Sequence, residues 1–332
     1  METGRPPVTK VMEFTKVDLR GVKPGGAGWP GARAAVTASM AAHGFVVVAH
    51  GALDPELRTA LFDRALPELY ALPAETKRRN VASTAVPYQG YISDGAALES
   101  LRVWDPTDAG RVRDYGNLLW PQQQQGSNPA FFCDAIVSVS RNLVELEQTV
   151  VRMVLEGVGA REERVDEHLD REALTSYGLR LWRYGVPPDL DTGMSLLAHR
   201  DTCVTSTVVQ HEVEGLEVQA GDGTWVSVPP EPDTATIIAG DFLTILTNGR
   251  IPSCLHRVRT PSNRERYSVA LHCRRKDDTL VAPMDELVDG EHPVIYNPCV
   301  AGEYTTFRYS EEGRQHGDPL KAFCGVESQL HR

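Results

Sequence analysis

Along the first half of the chain apolar residues recur at steps of three and four; along the second half they alternate singly with polar ones. The clearest helical stripe runs from about Phe132 to Glu156, where Phe132, Ile136, Val139, Leu143, Leu146, Val150 and Val154 share one face. A second helix is expected over Asp54 to Tyr70, with Asp54 as N-cap and Pro55 at the first helical position. Ahead of it, "GARAAVTASMAAH" reads as helix and "GFVVVAHG" as a short buried strand bounded by glycines.

After about Leu179 the texture changes to short strands and turns. "GLEVQAGDGTWVSVPP" is two alternating runs joined across Gly221-Asp222-Gly223, where an Asp-Gly pair is the expected hairpin chemistry. "TATIIAGDFLTILTNGR", "CLHRVRT" and "RYSVALHCR" follow as further strands. Many short strands at this spacing predict a sandwich or jelly roll, so the fold class is mainly β with flanking helices (α+β). Residues 1–160 are assigned to a helical N-terminal region and 161–332 to the jelly-roll domain, packed as one compact unit.

At 332 residues the chain is long enough to bury a substantial core. Its formal net charge of −11 argues against phosphate-backbone binding, which needs clustered Lys and Arg. Six cysteines without a C-x-x-C pair point to reduced thiols. The opening "METGRPPVTKVMEF" lacks the basic end and apolar stretch of a signal peptide. No apolar run approaches the roughly 20 residues of a membrane helix. The expected picture is a cytoplasmic monomer acting on a small molecule, with no nucleic-acid and no membrane partner.

Candidate chemistry concentrates in the strand-rich half. His199-Arg200-Asp201 places an imidazole and a carboxylate two residues apart, so on an extended segment both face one side. Read alone, the pair is more readily a surface feature than a metal site in a chain with 10 histidines and 45 acidic residues. His256 in "SCLHRVRT" is the candidate third ligand. Two imidazoles and one carboxylate suit a non-haem Fe(II) centre with open positions, and zinc is the competing metal. The chain lacks H-E-x-x-H, which disfavours a zinc peptidase. Beyond His256, Arg266-x-Ser268 is again an i, i+2 pair, and a guanidinium fork beside a hydroxyl forms a clamp for a carboxylate. The same alternation carries this face on to Ala270 and His272, placing His272 toward the shared cavity.

The order His199-x-Asp201, His256, Arg266-x-Ser268 resembles that of the plant 2-oxoglutarate/Fe(II)-dependent dioxygenase superfamily, with its isopenicillin N synthase-like fold. The resemblance covers nearly the whole chain: "HGFVVVAHG", "LPAETKRRN" and "GLEVQAGDGTWVSVPP" are similar to segments of those enzymes. More narrowly, "GYISDGAALESLRVWDP", "NLLWPQ", "NPAFFCDAI", "ELVDGEHP" and "LKAFCGV" resemble the subgroup of glucosinolate alkenyl- and hydroxyalkyl-producing dioxygenases. The resemblance implies a distorted double-stranded β-helix (jelly roll, cupin-like) with Fe(II) on His199, Asp201 and His256. It places the cosubstrate 2-oxoglutarate on Arg266, Ser268 and Tyr184, with O2 as oxidant and ascorbate as stimulating reductant. The implied reaction is hydroxylation, desaturation or dealkylation of a small specialised metabolite or hormone, coupled to decarboxylation of 2-oxoglutarate to succinate.

Two departures stand out. The family's R-L-N-Y-Y-P-P is "RLWRYGVPP" here, so Trp182 replaces the usual asparagine, which leaves open one hydrogen bond to the cosubstrate. Arg200 occupies the middle of the metal motif, where the subgroup usually carries threonine. Arg180 matches a position from which relatives send a basic side chain inward, which favours an acidic or phenolic substrate. With Arg180, Trp182 and His272, the aromatic residues Tyr88, Tyr91 and Trp120 of the variable region complete the expected substrate pocket. Two other readings stay open: an iron oxidase of the same fold that does not use 2-oxoglutarate, and a catalytically silent relative that binds a metabolite.

Overall fold

The computed structural model describes residues 16–81, 90–95, 97–120, 129–170, 174–261 and 263–326. Its strands, in chain order, are β1 (Val17–Asp18), β2 (Phe45–Ala49), β3 (Ile92–Asp94), β4 (Leu98–Trp104), β5 (Thr175–Tyr184) and β6 (Met194–His199). They continue as β7 (Thr205–Gln210), β8 (Leu216–Gln219), β9 (Trp225–Ser227), β10 (Thr234–Ala239), β11 (His256–Arg259) and β12 (Arg266–Arg275). An eight-stranded sheet runs β1-β2-β10-β7-β12-β5-β4-β3, and a four-stranded sheet runs β6-β11-β8-β9. Apart from the parallel β1–β2 pair, neighbours in these sheets are antiparallel.

The two faces of the large sheet have different surroundings because side chains alternate. Val269, Leu271 and Cys273 of β12 join the main core with Val36 of α1 (Trp29–His43) and Ile136 and Val139 of α2 (Pro129–Gly157). On the opposite face, Phe45 and Val47 of β2 and Ile238 of β10 meet Leu216, Val218 and Val226 of the small sheet. That apolar contact closes the β2–β10 side of the double sheet. On the β12–β5–β4 side the same inner face carries Arg266, Ser268, Ala270 and His272 and lines a cavity.

Strands β1 to β4 all precede residue 160, so the N-terminal region supplies half of the large sheet. β2 pairs with β10 from Thr234↔Ala49 to Ile238↔Phe45, and β4 with β5 from Leu98↔Tyr184 to Trp104↔Gly178. The division at 160 therefore passes through a continuous ladder. Helical patterning hid β4 because its alternation, with Leu101 and Val103 toward the helices and Ser100 and Arg102 inward, spans only seven residues.

Other sequence expectations meet specific outcomes. Asp54 caps its helix by accepting from the Leu57 N–H at 2.8 Å. The run to Tyr70 is not uniform: Pro55–Thr59 and Leu66–Tyr70 are α-helical, while Ala60–Ala65 widens into a π-turn. Pro67 lacks the N–H an α-turn needs, and the wider turn accommodates its ring. The segment Asp241–Leu246, expected as strand, is helical and buried throughout. An apolar run with no polar side gives no period to read. Gly44 closes α1 at φ 72°, and a Cβ there would stand 2.2 Å from the Pro252 carbonyl oxygen, so "HGF" marks both a turn and a close chain crossing. Among the described residues no helix is long and apolar enough to cross a membrane.

Glu147 fixes α2 to the sheet. Its carboxyl accepts from Tyr177 Oη of β5 at 2.9 Å and from Thr205 Oγ1 of β7 at 2.6 Å. Burial raises its pKa, against the hydroxyl donors that pull it down.

Candidate active site

His199 ends β6, His256 opens β11, and the ladder places them directly opposite one another. Asp201 lies just beyond β6 rather than on it, so the alternation that was expected to align it with His199 is not what positions it. Its main chain turns inward instead: the Asp201 carbonyl accepts from the Asp241 N–H at 2.8 Å. Its Oδ1 then stands 3.7 Å from His199 Nε2 and its Oδ2 3.7 Å from His256 Nε2. These separations exceed a hydrogen bond and match three donors about 2.1 Å from one shared ion, whose donor atoms stand about 3 to 4 Å apart.

Both imidazoles are held by their other nitrogen. His199 Nδ1 lies 2.8 Å from the Leu197 carbonyl oxygen and His256 Nδ1 3.2 Å from that of Cys254. A carbonyl only accepts, so each Nδ1 carries the proton and each Nε2 presents its lone pair toward Asp201. Burial, with His199 beside it, pushes His256 down to about 4, which keeps it neutral at physiological pH. Burial works against the Asp201 carboxylate, but attraction to His256, His272 and His199 in their protonated forms, together with the Ser206 hydroxyl, outweighs it and holds Asp201 well below the usual carboxylate range.

Ser206 Oγ donates to Asp201 Oδ2 at 2.5 Å and lies 2.9 Å from His272 Nδ1. A hydroxyl has one proton and a carboxylate only accepts, so His272 Nδ1–H donates to Ser206. His272 therefore supports the triad through Ser206. Asp201, Cys203 and His272 also have potential ligand atoms close together. Burial, reinforced by Asp201, pushes the Cys203 thiol well above its ordinary value, so it stays protonated and is a poor ligand.

Arg266 is 1% exposed. Nη1 donates to Ser268 Oγ at 3.1 Å and Nη2 to Gln210 Oε1 at 2.8 Å, while Nε is buried without a partner. Among the described residues no carboxylate pairs with it. The guanidinium stacks on the Tyr184 ring, 4.8 Å from its centroid. A buried cation with neutral partners is a docking point for an anion. Gly215 keeps it in place, because a Cβ there would come within 2.9 Å of Arg266 Cδ and Nε. Trp182, opposite Ser268 in the ladder, stacks on Tyr184 at 5.7 Å.

These groups open into one cavity of about 680 Å³. It is lined by the triad, Arg266, Ser268, Tyr184, Arg180, Trp182 and His272. Trp120 is a correction: it packs against Phe132 at 5.0 Å in the helical core and does not line the cavity. Tyr91 also turns away, donating its hydroxyl to Glu99 at 2.5 Å. Tyr88 lies outside the described residues. Arg200 tethers its Nε to the Ser253 carbonyl at 3.1 Å and still borders the cavity. Sequence reading missed Arg102, Arg274, Arg308 and Tyr309. Arg274 was reachable by one further step of the alternation through His272. Arg308 and Tyr309 end α3 (Ala301–Tyr309), whose approach to the cavity has no local signature.

Two facing sheets carry this constellation, and comparison with known proteins gives the class of oxygenase to which it belongs. The 2OG-Fe(II) oxygenase superfamily matches residues 176–275, the span from β5 through β12. The Arabidopsis thaliana "Probable 2-oxoglutarate-dependent dioxygenase AOP1.2" is 34% identical, over 95% of each chain. The chain belongs to the 2-oxoglutarate-dependent dioxygenases and is an oxidoreductase. The crystal structure of the rice dioxygenase for auxin oxidation superposes with a TM-score of 0.77 at 25% identity, covering 95% of this chain and 100% of that one. The Arabidopsis thaliana dioxygenase for auxin oxidation 1, solved as a 2-oxoglutarate complex, shares the fold with a TM-score of 0.72 at 23% identity. It covers 85% of this chain and 100% of its own.

Proposed function

We propose that His199, Asp201 and His256 hold Fe(II), that Arg266, Ser268 and Tyr184 hold 2-oxoglutarate, and that the substrate is a small specialised metabolite or hormone. The observation carrying the reading is the pairing of an anion-poor, buried Arg266 with a metal-spaced triad in the same cavity. In this reading Arg266 and Ser268 bind the far carboxylate, which sets the distance at which the keto-acid end reaches the triad. Tyr184 supports the guanidinium with its ring, and Trp182 in turn stacks on Tyr184. Ser206 and His272 keep the Asp201 carboxylate aimed between the two imidazoles. Iron with 2-oxoglutarate and O2 supplies oxidation of a substrate C–H bond, and for hydroxylation the products are alcohol, succinate and CO2.

The test is succinate formation by full-length protein with Fe(II), ascorbate, O2 and 2-oxoglutarate, across a panel of small acids, phenolics and hormones. Succinate above a His256→Ala control and stimulated by one compound class supports the reading. Oxygen uptake without succinate shifts it to an oxidase that does not use 2-oxoglutarate. Metal and 2-oxoglutarate binding without any turnover shifts it to a silent binding protein.

A further inference from the structure

Among the charged side chains lining the cavity, seven are arginines and one, Asp201, is a carboxylate. Arg266 has its role in the reading above, and Arg180 donates to the Gly90 carbonyl at 2.6 Å. Arg102 and Arg274 are different. They are 9% and 8% exposed, and among the described residues neither makes a salt bridge or a side-chain hydrogen bond. The buried Arg102 Nε has no partner.

The sheet is shaped to keep these two guanidinium groups together. Both lie over the Trp104 ring, Arg102 at 4.3 Å and Arg274 at 5.6 Å from its centroid. Arg102 faces Arg180 across the β4–β5 ladder and then reaches over Gly178 of β5. A Cβ at position 178 would stand 2.7 Å from Arg102 Nε and 3.1 Å from Nη2, so a side chain there would push the guanidinium aside. Burial, with Arg274 and Arg180 adding repulsion, pushes Arg102 down to about 9, and it remains charged at neutral pH. Two neighbouring buried cations without an anion are unfavourable, and an anionic ligand removes that cost.

Their position is as telling as their chemistry. Arg266 and Arg274 stand at opposite parts of β12, about 26 Å apart at 3.3 Å per residue. His272, joined to Asp201 through Ser206, lies between them along the strand. The cavity thus has two cationic ends, and His272, the link to the triad, lies two residues from Arg274 and six from Arg266 along the strand.

We infer that Arg102 and Arg274, backed by Trp104, form a cradle that binds an oxyanion group of the substrate, at the end of the cavity away from Arg266. The inference rests on assigning Arg266 to 2-oxoglutarate. The cradle suits a carboxylate or a sulfonate-type group, because two guanidinium forks offer parallel N–H donors to its oxygens. The aromatic shelf beneath confines the cations rather than the ligand.

The test uses full-length protein with Mn(II) in place of iron, which prevents turnover, and tryptophan fluorescence as the binding signal. The probes are phenylacetate and phenylmethanesulfonate, each compared with its neutral amide. With 2-oxoglutarate bound, at least one acid is expected to bind about tenfold or more tightly than its amide. Arg102→Met and Arg274→Met should each erase that preference, and the favoured acid tells carboxylate from sulfonate recognition. Gly178→Ala, a minimal change that displaces Arg102, should weaken it without removing a charge. No acid preference in the unmodified protein, or a preference that survives both arginine replacements, overturns the cradle. Arg266→Gln separates the two assignments: it should weaken 2-oxoglutarate binding and keep the acid preference. Loss of the acid preference in Arg266→Gln, with retention in Arg102→Met, would place the oxyanion site at Arg266 and overturn the cradle.

Discussion

His199 and His256 face each other across the β6–β11 ladder with ring centroids 4.2 Å apart, each anchored through Nδ1 to a carbonyl two residues earlier in its own chain segment. The backbone thus sets both the position and the tautomer of each ring before any metal arrives. Asp201 is the adjustable member, held by a turn and by Ser206.

Removing Asp201, the only anionic member of the proposed ligand set, should therefore do the most damage. Asp201→Ala is expected to abolish turnover and reduce metal affinity severely, measured by Co(II) absorption titration. Ser206→Ala leaves the ligands in place but frees the carboxylate to swing, and should weaken metal binding about 10- to 100-fold. Unaltered Co(II) binding in Asp201→Ala would refute the metal assignment.

Arg266→Gln should raise the 2-oxoglutarate Kd about tenfold to a hundredfold, because a hydrogen bond to a charged group contributes about 1.5–3 kcal/mol. Metal affinity should be nearly unchanged. Arg266→Lys is expected to rescue little, since an ammonium cannot reproduce the fork that contacts Ser268 and Gln210 together. Calorimetry with the Mn(II) protein decides the matter, and equal Kd values across the three proteins would contradict the clamp.

Trp182→Asn exchanges an indole stacked on Tyr184 for an amide next to the proposed cosubstrate position. The expected outcome is a lower 2-oxoglutarate Kd, from a restored hydrogen bond and a wider approach. A higher Kd would mean that the Trp182–Tyr184 stack itself supports cosubstrate binding.

A pH effect on stability comes from His168, whose Nδ1 accepts from Arg275 Nη2 at 3.2 Å. Burial, then Arg275, pushes it from the ordinary 6.5 down to about 4. Between those values the unfolded chain binds a proton that the folded protein does not, so stability falls as pH drops through that window and is fully present above it. His168→Asn keeps an acceptor for Arg275 without titrating, and its Tm should decline less between neutral pH and about pH 5. An identical decline in both proteins would show that His168 does not contribute.

Local pattern went a long way here. The period of three to four marked α2, the alternation in β12 aligned Arg266, Ser268 and His272, and the Asp-Gly pair marked the β8–β9 hairpin. The errors share a cause. Asp241–Leu246 is buried on all sides and carries no period, and Trp120 carries no local sign of whether its ring faces core or cavity.

The sequence by itself determined which residue types could hold a metal and, because alternation along β12 fixes which side chains share a face, that Arg266, Ser268 and His272 look into one space. Only tertiary structure decided that Asp201 reaches the site through a turn outside β6, that N-terminal β4 enters the catalytic sheet, and that Arg102 crosses Gly178 to meet Arg274. Those relations join residues far apart in the chain, and only the packing of one strand against another sets the distance between them.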